Sequence, residues 1–380
     1  MKIPFGKPIL SDRDFKDVVK VLKSGVLVHG KKNNEFENLF RSYTNSKHAI
    51  SVSSCTAGLF LLYYVLGIKK NDEIIVSSQT HAATALSFCA LGAKPVFVDS
   101  EKKSGNIDVS KIEKLITKKT KAISIVHYLG FAAEIEKISK IAKKHNLFLI
   151  EDCALALGTT VNKRHVGLFG DAGVFSFYPI KHITTAEGGM IITKNSNLAK
   201  KLILAKSLGV NKQFADRKIP GIYDVVYPGL NLRMNEISSV LGLNQLKKFD
   251  SFKKIRKKNY KKYLKIFSKK KEFETVKNFK KNEDWSYYAF PLILNKSHKT
   301  ERNKLVNYLK KKNIGTSVYY PHPLPRLSYF KKKYKINLGN FLNAKKFSDQ
   351  TIMLPIGPHI NEKKIFLITK EIFSFIRENK

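Results

Sequence analysis

The stretch KHAISVSSCTAGLFLLYYVLGI, residues 47–68, contains the pattern that decides the fold. KHAISVSS predicts a strand, and CTAGLFLLYYVLGI predicts an apolar helix that begins where the strand ends in small hydroxyl residues. The free backbone N–H groups of such a helix start, together with serine and threonine hydroxyls, form a good site for a phosphate group. Ser54 and Thr56 can equally be ordinary N-cap residues, so this stretch alone leaves both interpretations open.

The alternation of strand and helix signals continues to residue 193. Helices are predicted at THAATALSFCALG and AEIEKISKIAKKHN, and strands at DEIIVSS, KPVFVD, KAISIVHYL, LFLIED, AGVFSFY and GGMIITK. Short strands separated by helical segments indicate an α/β fold with a mostly parallel sheet and helices on both faces. Ligands bind such sheets at the carboxyl ends of the strands, so functional residues are expected there.

The remainder of the chain predicts a second, smaller unit. A helix-rich connection runs from about 196 to 270, followed by a strand at 285–294 and helices at 299–313 and 361–379. We therefore expect a large α/β domain over residues 1–250, including an N-terminal arm, and a small α+β domain over residues 251–380.

Composition limits the class of protein. With 380 residues, 43% of them hydrophobic, the chain suits a globular protein with a large core. No apolar run approaches the roughly 20 residues of a membrane span, and the N-terminus lacks the apolar segment of a secretion signal. Cys55, Cys89 and Cys153 are an odd number without CxxC spacing, so neither a disulfide framework nor a zinc site is predicted. We expect a cytoplasmic protein without a metal site.

The charge is strongly basic, with 70 basic and 30 acidic residues and a formal net charge of +40. Such a surface attracts anions, including nucleic acids and phosphorylated metabolites. Only nine of the basic residues are arginine, however, and lysine runs such as 247–273 alternate with apolar residues at helical spacing, as on a solvated helix face. Because no nucleic-acid-binding motif is present, we expect no specific binding of nucleic acid.

Two further residues stand where the ligand crevice of the sheet is expected. Asp152 ends the apolar strand LFLIED, where a carboxylate can pair with a cation or simply cap the next turn. Glu151 points to the opposite side if the strand period continues, so one of the two acids faces the site. His81 also follows a strand, and its ring can begin a helix or stack on a ligand.

Lys181 lies in FSFYPIKHITTAEGGM, residues 175–190, among Phe177, Tyr178 and Pro179. Partial desolvation in such surroundings lowers the pKa of a lysine and makes its amine a better nucleophile. Schiff-base chemistry needs this setting and also an electron sink, such as a pyridinium kept protonated by a carboxylate. A lysine, a strand-end aspartate, a phosphate cradle and a stacking ring are together the parts of a pyridoxal phosphate site.

The sequence resembles the DegT/DnrJ/EryC1/StrS family of sugar aminotransferases, which are fold-type I pyridoxal phosphate enzymes. The similarity is nearly collinear from residue 2 to about 250 and weaker beyond. It rests on long stretches, among them SGVLVHG, FENLFRSYTNSKHAISVSSCTAGL, GNIDVSKIEKLITKKTKAI, LIEDCALALG, GLFGDAGVFSFYPIKHITTAEGGMIIT and GLNLRMNEISSVLGLNQLKKFD. The resemblance implies a large, mostly parallel domain with a sheet of the seven-stranded type and a smaller α+β C-terminal domain.

The resemblance also implies which residues contact the cofactor, namely Cys55, Thr56, His81, Asp152, Ser176, Lys181 and Asn231. Lys181 matches the lysine that binds the cofactor covalently, Asp152 the acid paired with its pyridine nitrogen, and His81 the stacking ring. The phosphate is expected at Cys55, Thr56 and Ser176. Asn231 matches an asparagine that reaches the phosphate from the other subunit, which implies a homodimer with two shared active sites.

Two departures from the family pattern concern the cofactor. Leu155 stands where the family often has glutamine or glutamate near the cofactor hydroxyl, and leucine cannot make that hydrogen bond. Cys55 replaces a small glycine, but backbone N–H donation should survive. Relatives with histidine at the position of Lys181 act as 3-dehydratases, so the lysine favours transamination.

The function that the resemblance implies is transfer of an amino group, with glutamate as donor, to a nucleotide-linked keto sugar. A 4-keto-6-deoxy sugar is the commonest acceptor by analogy, and the implied pathways make polysaccharide, O-antigen or other amino sugars. The pyridoxamine form of the cofactor would carry the amino group. Candidate substrate residues are Arg233, Tyr319, Tyr320 and His322, although the proline-rich turn around the last three can simply serve packing. A dehydratase-like enzyme, a non-catalytic regulatory member and a nucleic-acid-binding protein with this fold are the alternatives.

Overall fold

The strands follow the predicted alternation closely. In the computed structural model, which describes residues 2–211, 219, 221–277, 280–295 and 299–379, they are β1 (His48–Val52), β2 (Glu73–Ser77), β3 (Lys94–Val98), β4 (Thr120–Val126), β5 (Phe148–Asp152), β6 (Thr160–Val161), β7 (Arg164–His165), β8 (Ala172–Ser176), β9 (Gly189–Thr193), β10 (Phe273–Thr275), β11 (Glu283–Asp284), β12 (Phe290–Leu294) and β13 (Thr351–Leu354).

The helices alternate with the strands of the first half and dominate the second half. They are α1 (Asp12–Ser24), α2 (Lys31–Thr44), α3 (Cys55–Val65), α4 (Ala82–Cys89), α5 (Val109–Ile112), α6 (Ile135–Lys144), α7 (Ser196–Ala205), α8 (Glu236–Phe267), α9 (Lys299–Lys311), α10 (Ser328–Tyr334), α11 (Leu342–Gln350) and α12 (Glu362–Glu378). Short 3₁₀ turns lie at Glu113–Leu115, Tyr128–Gly130, Leu324–Arg326 and Leu338–Asn340.

Seven strands form the central sheet in the order β1-β9-β8-β5-β4-β2-β3. The strands β3, β2, β4, β5 and β8 pair in parallel, whereas β9 is antiparallel to both of its neighbours. This arrangement confirms the predicted mostly parallel sheet. The register sets Val126 opposite Asp152 and Asp152 opposite Val174, so the carboxyl ends of β4, β5 and β8 lie side by side.

Helices cover both faces of this sheet, as the alternation predicts. On one face, buried residues of α2, α6 and α8, such as Phe40, Ile138 and Leu246, pack with the sheet. On the other face, α3, α4 and α7 contribute residues such as Leu62 and Phe88. Burial of both faces explains why the strands are continuous apolar runs without alternating polar residues.

A second core lies in the C-terminal part of the chain. The antiparallel sheet β10-β12-β13 packs with residues of α9, α12 and the end of α8. These residues form an apolar cluster separate from the two clusters on the faces of the central sheet. The prediction of one strand across 285–294 is wrong in its first half, since β12 begins at Phe290. Tyr287 has φ 54°, in the left-handed region, and this conformation cannot continue a strand ladder.

Helix α8 is continuous across the predicted domain boundary at residues 250 and 251. Leu243 and Leu246 in its first half pack with the central sheet, and Tyr263 and Phe267 near its end belong to the C-terminal core. The division into two domains at that position therefore stays a prediction. Within the described ranges, none of the helices has the length and apolar character that crossing a membrane requires.

Candidate active site

Asp152 is fixed at the carboxyl end of β5, next to the middle of the central sheet. It is 3% exposed. The Thr84 hydroxyl donates to its Oδ2 at 2.7 Å, and the backbone N–H of Ala154 donates to its Oδ1 at 3.0 Å. These two bonds come from different sides of the carboxylate, so they hold its plane in one orientation.

Glu151 points away from this group, as the strand period predicts. Its carboxylate is fully buried and accepts hydrogen bonds from His127 Nε2 at 3.0 Å and from three backbone N–H groups of the loop before β8, those of Gly167, Phe169 and Gly170. All of this hydrogen bonding is internal to the scaffold. Of the two neighbouring acids, Asp152 is therefore the one that faces the candidate site, and its catalytic role stays a prediction.

Lys181 follows β8 in a tight turn, where its backbone N–H donates to the carbonyl of Tyr178 at 2.9 Å. Its Nζ lies 5.4 Å from the centroid of the Tyr288 ring. Burial lowers the pKa of the Lys181 amine, and this effect outweighs the opposite influences of Cys55 and Asp152. The lowered pKa agrees with the partial desolvation predicted for this half-buried lysine, and a larger fraction of the amine is neutral than at a surface lysine.

The charge of Asp152 acts on several neighbouring groups, among them Cys55, His81, Lys181 and Tyr320. His81 is the N-cap of α4, and its Nδ1 accepts from the Ala83 N–H at 3.2 Å. Burial lowers the pKa of His81, which opposes the raising effect of Asp152. The ring of His81 remains exposed on its outer side, and its stacking on a cofactor stays a prediction.

The start of α3 forms the expected cradle for a phosphate. Ser54 is its N-cap and accepts from the Ala57 N–H at 3.0 Å, while Cys55 and Thr56 follow as its first residues. The N–H groups of a first helical turn have no partner within the helix. Gly189 of β9 approaches this turn so closely that an added Cβ would lie 2.7 Å from the Cys55 nitrogen. The N-cap interpretation holds for Ser54, and the phosphate contact stays a prediction.

Ser176 and Cys55 flank this cradle from the sheet side. Ser176 ends β8, and its half-buried hydroxyl is 3.5 Å from the Tyr178 N–H. The Cys55 sulfur lies 3.9 Å from the Val174 carbonyl, and burial raises the pKa of its thiol. Cys55 is thus a neutral thiol, and its backbone contributes to the cradle.

The proline-rich turn of the C-terminal part reaches the central sheet. The Leu324 N–H donates to the carbonyl of Ser78, just beyond β2, at 2.8 Å. The Tyr319 carbonyl accepts from Gln79 Nε2 at 3.3 Å and from the Tyr128 hydroxyl. Tyr319 and Tyr320 therefore lie against the site, and half-buried His322 belongs to the same turn.

Two predicted residues lie on the segment that follows residue 230, which reaches the cradle through its main chain. Asn231 is exposed, and the next residue, Leu232, accepts from the Ser53 N–H at 2.9 Å through its carbonyl. Arg233 is half-buried, and its Nε has no hydrogen-bond partner among the residues that the structure describes. The predicted contact of Asn231 with a phosphate of a second subunit stays a prediction, as does binding of substrate by Arg233.

Three residues of the site were missed in the sequence. Thr84 orients Asp152, Tyr288 lies against Lys181, and Gln79 joins the two parts of the chain. Gln79 directly follows a predicted strand end, which is a usable signal. Thr84 lies inside the helix predicted after that strand, where nothing marks it. Tyr288 lies in the segment that was wrongly predicted as a strand, and the sequence around it gave no signal of a role in the site.

Leu155 lies fully buried in the C-terminal apolar cluster, where Tyr128 and Tyr320 also lie. Its carbonyl accepts from the Ser286 hydroxyl at 2.7 Å. The side chain therefore serves packing.

The donor set of this site fits pyridoxal phosphate. A desolvated lysine amine, a buried and oriented carboxylate, an exposed imidazole ring and a helix N-terminus meet at the carboxyl ends of parallel strands. Together with the seven-stranded sheet, they define a fold-type I pyridoxal phosphate-dependent transferase.

Comparison with known proteins identifies the family. The model of the DegT/DnrJ/EryC1/StrS aminotransferase family matches residues 8–373. The chain is 34% identical to UDP-4-amino-4,6-dideoxy-N-acetyl-beta-L-altrosamine transaminase of Campylobacter jejuni, covering 100% of this chain and 98% of the relative. It is also 34% identical to GDP-perosamine synthase of Escherichia coli O157:H7, covering 98% of each.

Among solved structures, the fold matches Helicobacter pylori PseC, an aminotransferase involved in the biosynthesis of pseudoaminic acid. The TM-score is 0.93 at 31% identity, and the match covers 100% of both chains. The chain belongs to the DegT/DnrJ/EryC1/StrS aminotransferase family and is an aminotransferase. The predicted family, fold class and enzyme class are confirmed.

Proposed function

We propose that the protein transfers an amino group from glutamate to a nucleotide-linked keto sugar, with pyridoxal phosphate as its cofactor. The observation that carries the proposal is the meeting of the Lys181 amine and the buried Asp152 carboxylate at the carboxyl ends of β5 and β8. The relatives named above support it, because their names describe aminotransfer in nucleotide-sugar chemistry.

The cofactor, when bound, supplies the electron sink that stabilises negative charge at the carbon being deprotonated. Asp152 holds the proton on the ring nitrogen, and Thr84 and Ala154 keep its carboxylate aligned for this role. Lys181 binds the cofactor covalently until the amino donor displaces it. Its lowered pKa would then let the free amine act as the general base that accepts the proton from the donor α-carbon and holds it for return.

The N–H groups of Cys55 and Thr56 and the hydroxyl of Ser176 would hold the phosphate of the cofactor. The His81 ring would lie against the cofactor and exclude water from it. Asn231 completes the phosphate site of a second copy of the chain, and we accordingly propose a homodimer with shared active sites.

The sugar substrate binds between the central sheet and the proline-rich turn, where Tyr319, Tyr320 and His322 lie. Arg233 binds the diphosphate, because its Nε is without a hydrogen-bond partner and a guanidinium suits phosphate oxygens. The name of one relative contains UDP and the name of the other contains GDP. The proposal therefore names the acceptor as a nucleotide-linked 4-keto-6-deoxy sugar and does not specify the nucleotide. Such a reaction belongs to cytoplasmic synthesis of precursors for polysaccharide, O-antigen or related amino sugars.

The test is an absorbance experiment on the purified protein. Pyridoxal phosphate should give a visible absorbance band that glutamate removes and a keto sugar restores, with the amino sugar detected by mass spectrometry. UDP- and GDP-linked 4-keto-6-deoxy sugars should be compared side by side. A protein that forms no band with the cofactor would contradict the proposal, and a band that no amino donor removes would contradict the transfer step.

A further inference from the structure

The main chain of residues 286–288 places the Tyr288 ring against Lys181. Its hydrogen bonds include one from Ser286 N–H to the Thr159 hydroxyl at 3.0 Å and three to carbonyls of the segment. His182 Nε2 donates to the Ser286 carbonyl at 3.1 Å. Arg256 donates from one terminal nitrogen to the Tyr288 carbonyl at 2.8 Å and to the Tyr287 carbonyl at 3.4 Å. Because His182 directly follows Lys181, the lysine turn and this segment are tied together.

The conformation of this segment needs such support. Tyr287 has φ 54°, which is uncommon for a bulky residue and persists where the surroundings hold it. Arg256 bonds the carbonyls of Tyr287 and of the residue after it. The guanidinium is thus the group that holds the bend which turns Tyr288 toward the site.

Arg256 is an unusual cation. It is 7% exposed, and among the described residues no carboxylate lies within ion-pair distance of it. Burial lowers its pKa to about 10, and within the described ranges its Nε has no hydrogen-bond partner. Burying a cation without a carboxylate costs free energy, and the carbonyls of Tyr287 and Tyr288 offset part of this cost by accepting its hydrogen bonds.

We propose that Arg256 is a positioning residue of the active site, which holds the Tyr288 ring against the Lys181 amine. The ring keeps water from the amine, and the Tyr288 hydroxyl is anchored by the Tyr319 hydroxyl at 2.8 Å. This inference rests on the proposed function, since it assigns Arg256 a role through the amine that performs the reaction.

The titratable and charged groups that act on or adjoin Lys181 come from several elements: Cys55, His81, Asp152, His182 and Tyr288. Arg256 acts on two of them directly: its charge adds to burial in lowering the pKa of His182, and it opposes the effect of burial, which raises the pKa of Tyr288. His182 is therefore neutral and donates through Nε2 to the Ser286 carbonyl. Loss of Arg256 would release the ring of Tyr288, whereas Cys55, His81 and Asp152 would stay in place.

The experiment compares Arg256→Met with Arg302→Met, both loaded with pyridoxal phosphate. Arg302 is a matched control, because it is also buried and donates to two main-chain carbonyls, those of Ser348 and Thr351, without contacting Lys181 or Tyr288. The main readout is a pH titration of the visible absorbance of the bound cofactor without an amino donor.

In Arg256→Met, water reaching the Lys181 nitrogen stabilises its protonated form, so the titration midpoint should rise by about one pH unit. The kcat with glutamate should fall on the order of 10- to 100-fold, as for a misplaced catalytic group, with KM unchanged. Arg302→Met should lose thermal stability but keep the wild-type midpoint. Arg256→Lys keeps a donor and should restore part of the shift.

The inference is overturned if cofactor-loaded Arg256→Met titrates and turns over like Arg302→Met. If Arg256→Met does not fold, Tyr288→Leu takes its place, because it removes the ring and keeps the main-chain bonds. A wild-type midpoint in that variant overturns the inference equally. A wild-type protein that binds no cofactor would instead defeat the proposed function and this inference with it.

Discussion

Lys181 is a lysine whose amine has a pKa lowered by burial, near the buried carboxylate of Asp152. Lys181→Ala should abolish the visible band of the bound cofactor and lower kcat by about 10³-fold or more, since both covalent binding and proton transfer are lost. Lys121→Ala, on an exposed position of β4, is the control and should behave as wild type. Wild-type turnover in Lys181→Ala would show that another group performs the chemistry.

Asp152 and Glu151 are neighbours in the sequence, but replacing Asp152 is expected to lower the rate and replacing Glu151 to lower the stability. Asp152→Asn should keep the fold and much of the cofactor, yet lose about 10²–10³-fold in kcat, as when one preorganised electrostatic partner is removed. The amide oxygen can keep the hydrogen bond from the Ala154 N–H, and the amide NH2 can donate to the Thr84 hydroxyl, so the side chain stays oriented. Single-turnover absorbance with glutamate measures the loss, and an unimpaired rate would refute the assigned role.

Glu151→Gln should lower stability, because the buried carboxylate accepts hydrogen bonds from His127 and the 167–170 loop. Burial alone would raise the pKa of Glu151, but these hydrogen bonds outweigh it and the pKa lies below the usual 4.5. A depressed pKa contributes stability above 4.5 that is lost as the pH falls through the folded-state value.

Denaturant unfolding at pH 7 should therefore show a loss of about 3 kcal/mol for Glu151→Gln. The difference between wild type and the variant should narrow as the pH is lowered below the usual glutamate value. A difference that is constant with pH would mean that the carboxylate charge contributes nothing.

At the scale of elements, the junction of α3 with β9 determines how closely a phosphate can approach. Gly189→Ala would force its Cβ against the Cys55 nitrogen, displacing the first turn of α3. The dissociation constant for pyridoxal phosphate should rise about tenfold, which corresponds to roughly 1.4 kcal/mol. Gly339→Ala, where a Cβ would meet only Asn337 Oδ1 at 3.2 Å, is the control. If equilibrium dialysis shows unchanged affinity in Gly189→Ala, the start of α3 does not bind the phosphate.

The elements of the central sheet were predictable because each buried strand is a short apolar run that ends in small or polar residues. The segment 285–289 was not, because its apolar residues look like a strand while the left-handed turn at Tyr287 depends on Arg256, 31 residues earlier. In the site, Lys181 and Asp152 could be recognised from the residues next to them in the sequence, which are aromatic residues and a proline for Lys181 and an apolar strand for Asp152. Thr84, Tyr288 and Arg256 acquire their roles only through contacts between distant segments, which composition and spacing do not encode.

Over the whole molecule, the net charge of +40 comes mainly from lysines on helix surfaces, and some of these lysines form ion pairs. Lys257 and Lys253 pair with Asp284, and Lys262 pairs with Glu362. One region contrasts with this basic surface. Its exposed apolar residues, between 40% and 56% accessible, are Val26, Leu27, Val28, Leu208, Val225, Val226 and Leu230, which we call the apolar rim.

The apolar rim flanks the segment that carries Asn231 and Arg233. The Leu27 carbonyl accepts from the Glu236 N–H at 2.9 Å, and the Leu230 carbonyl accepts from the Leu208 N–H at 3.1 Å. An exposed apolar patch beside a predicted intersubunit asparagine is what a two-fold interface requires, because each copy presents the same surface to the other.

Val226→Asp should therefore convert a dimer into monomers, because a desolvated carboxylate at the centre of such an interface has no partner. Activity and cofactor affinity should fall together, since the Asn231 contact is lost with the second copy. Phe366→Asp, at an equally exposed apolar position on α12, should remain dimeric and active. Sedimentation equilibrium gives the mass directly. A monomeric wild type, or a dimeric Val226→Asp with full activity, would place the interface elsewhere and leave the phosphate site complete within one chain.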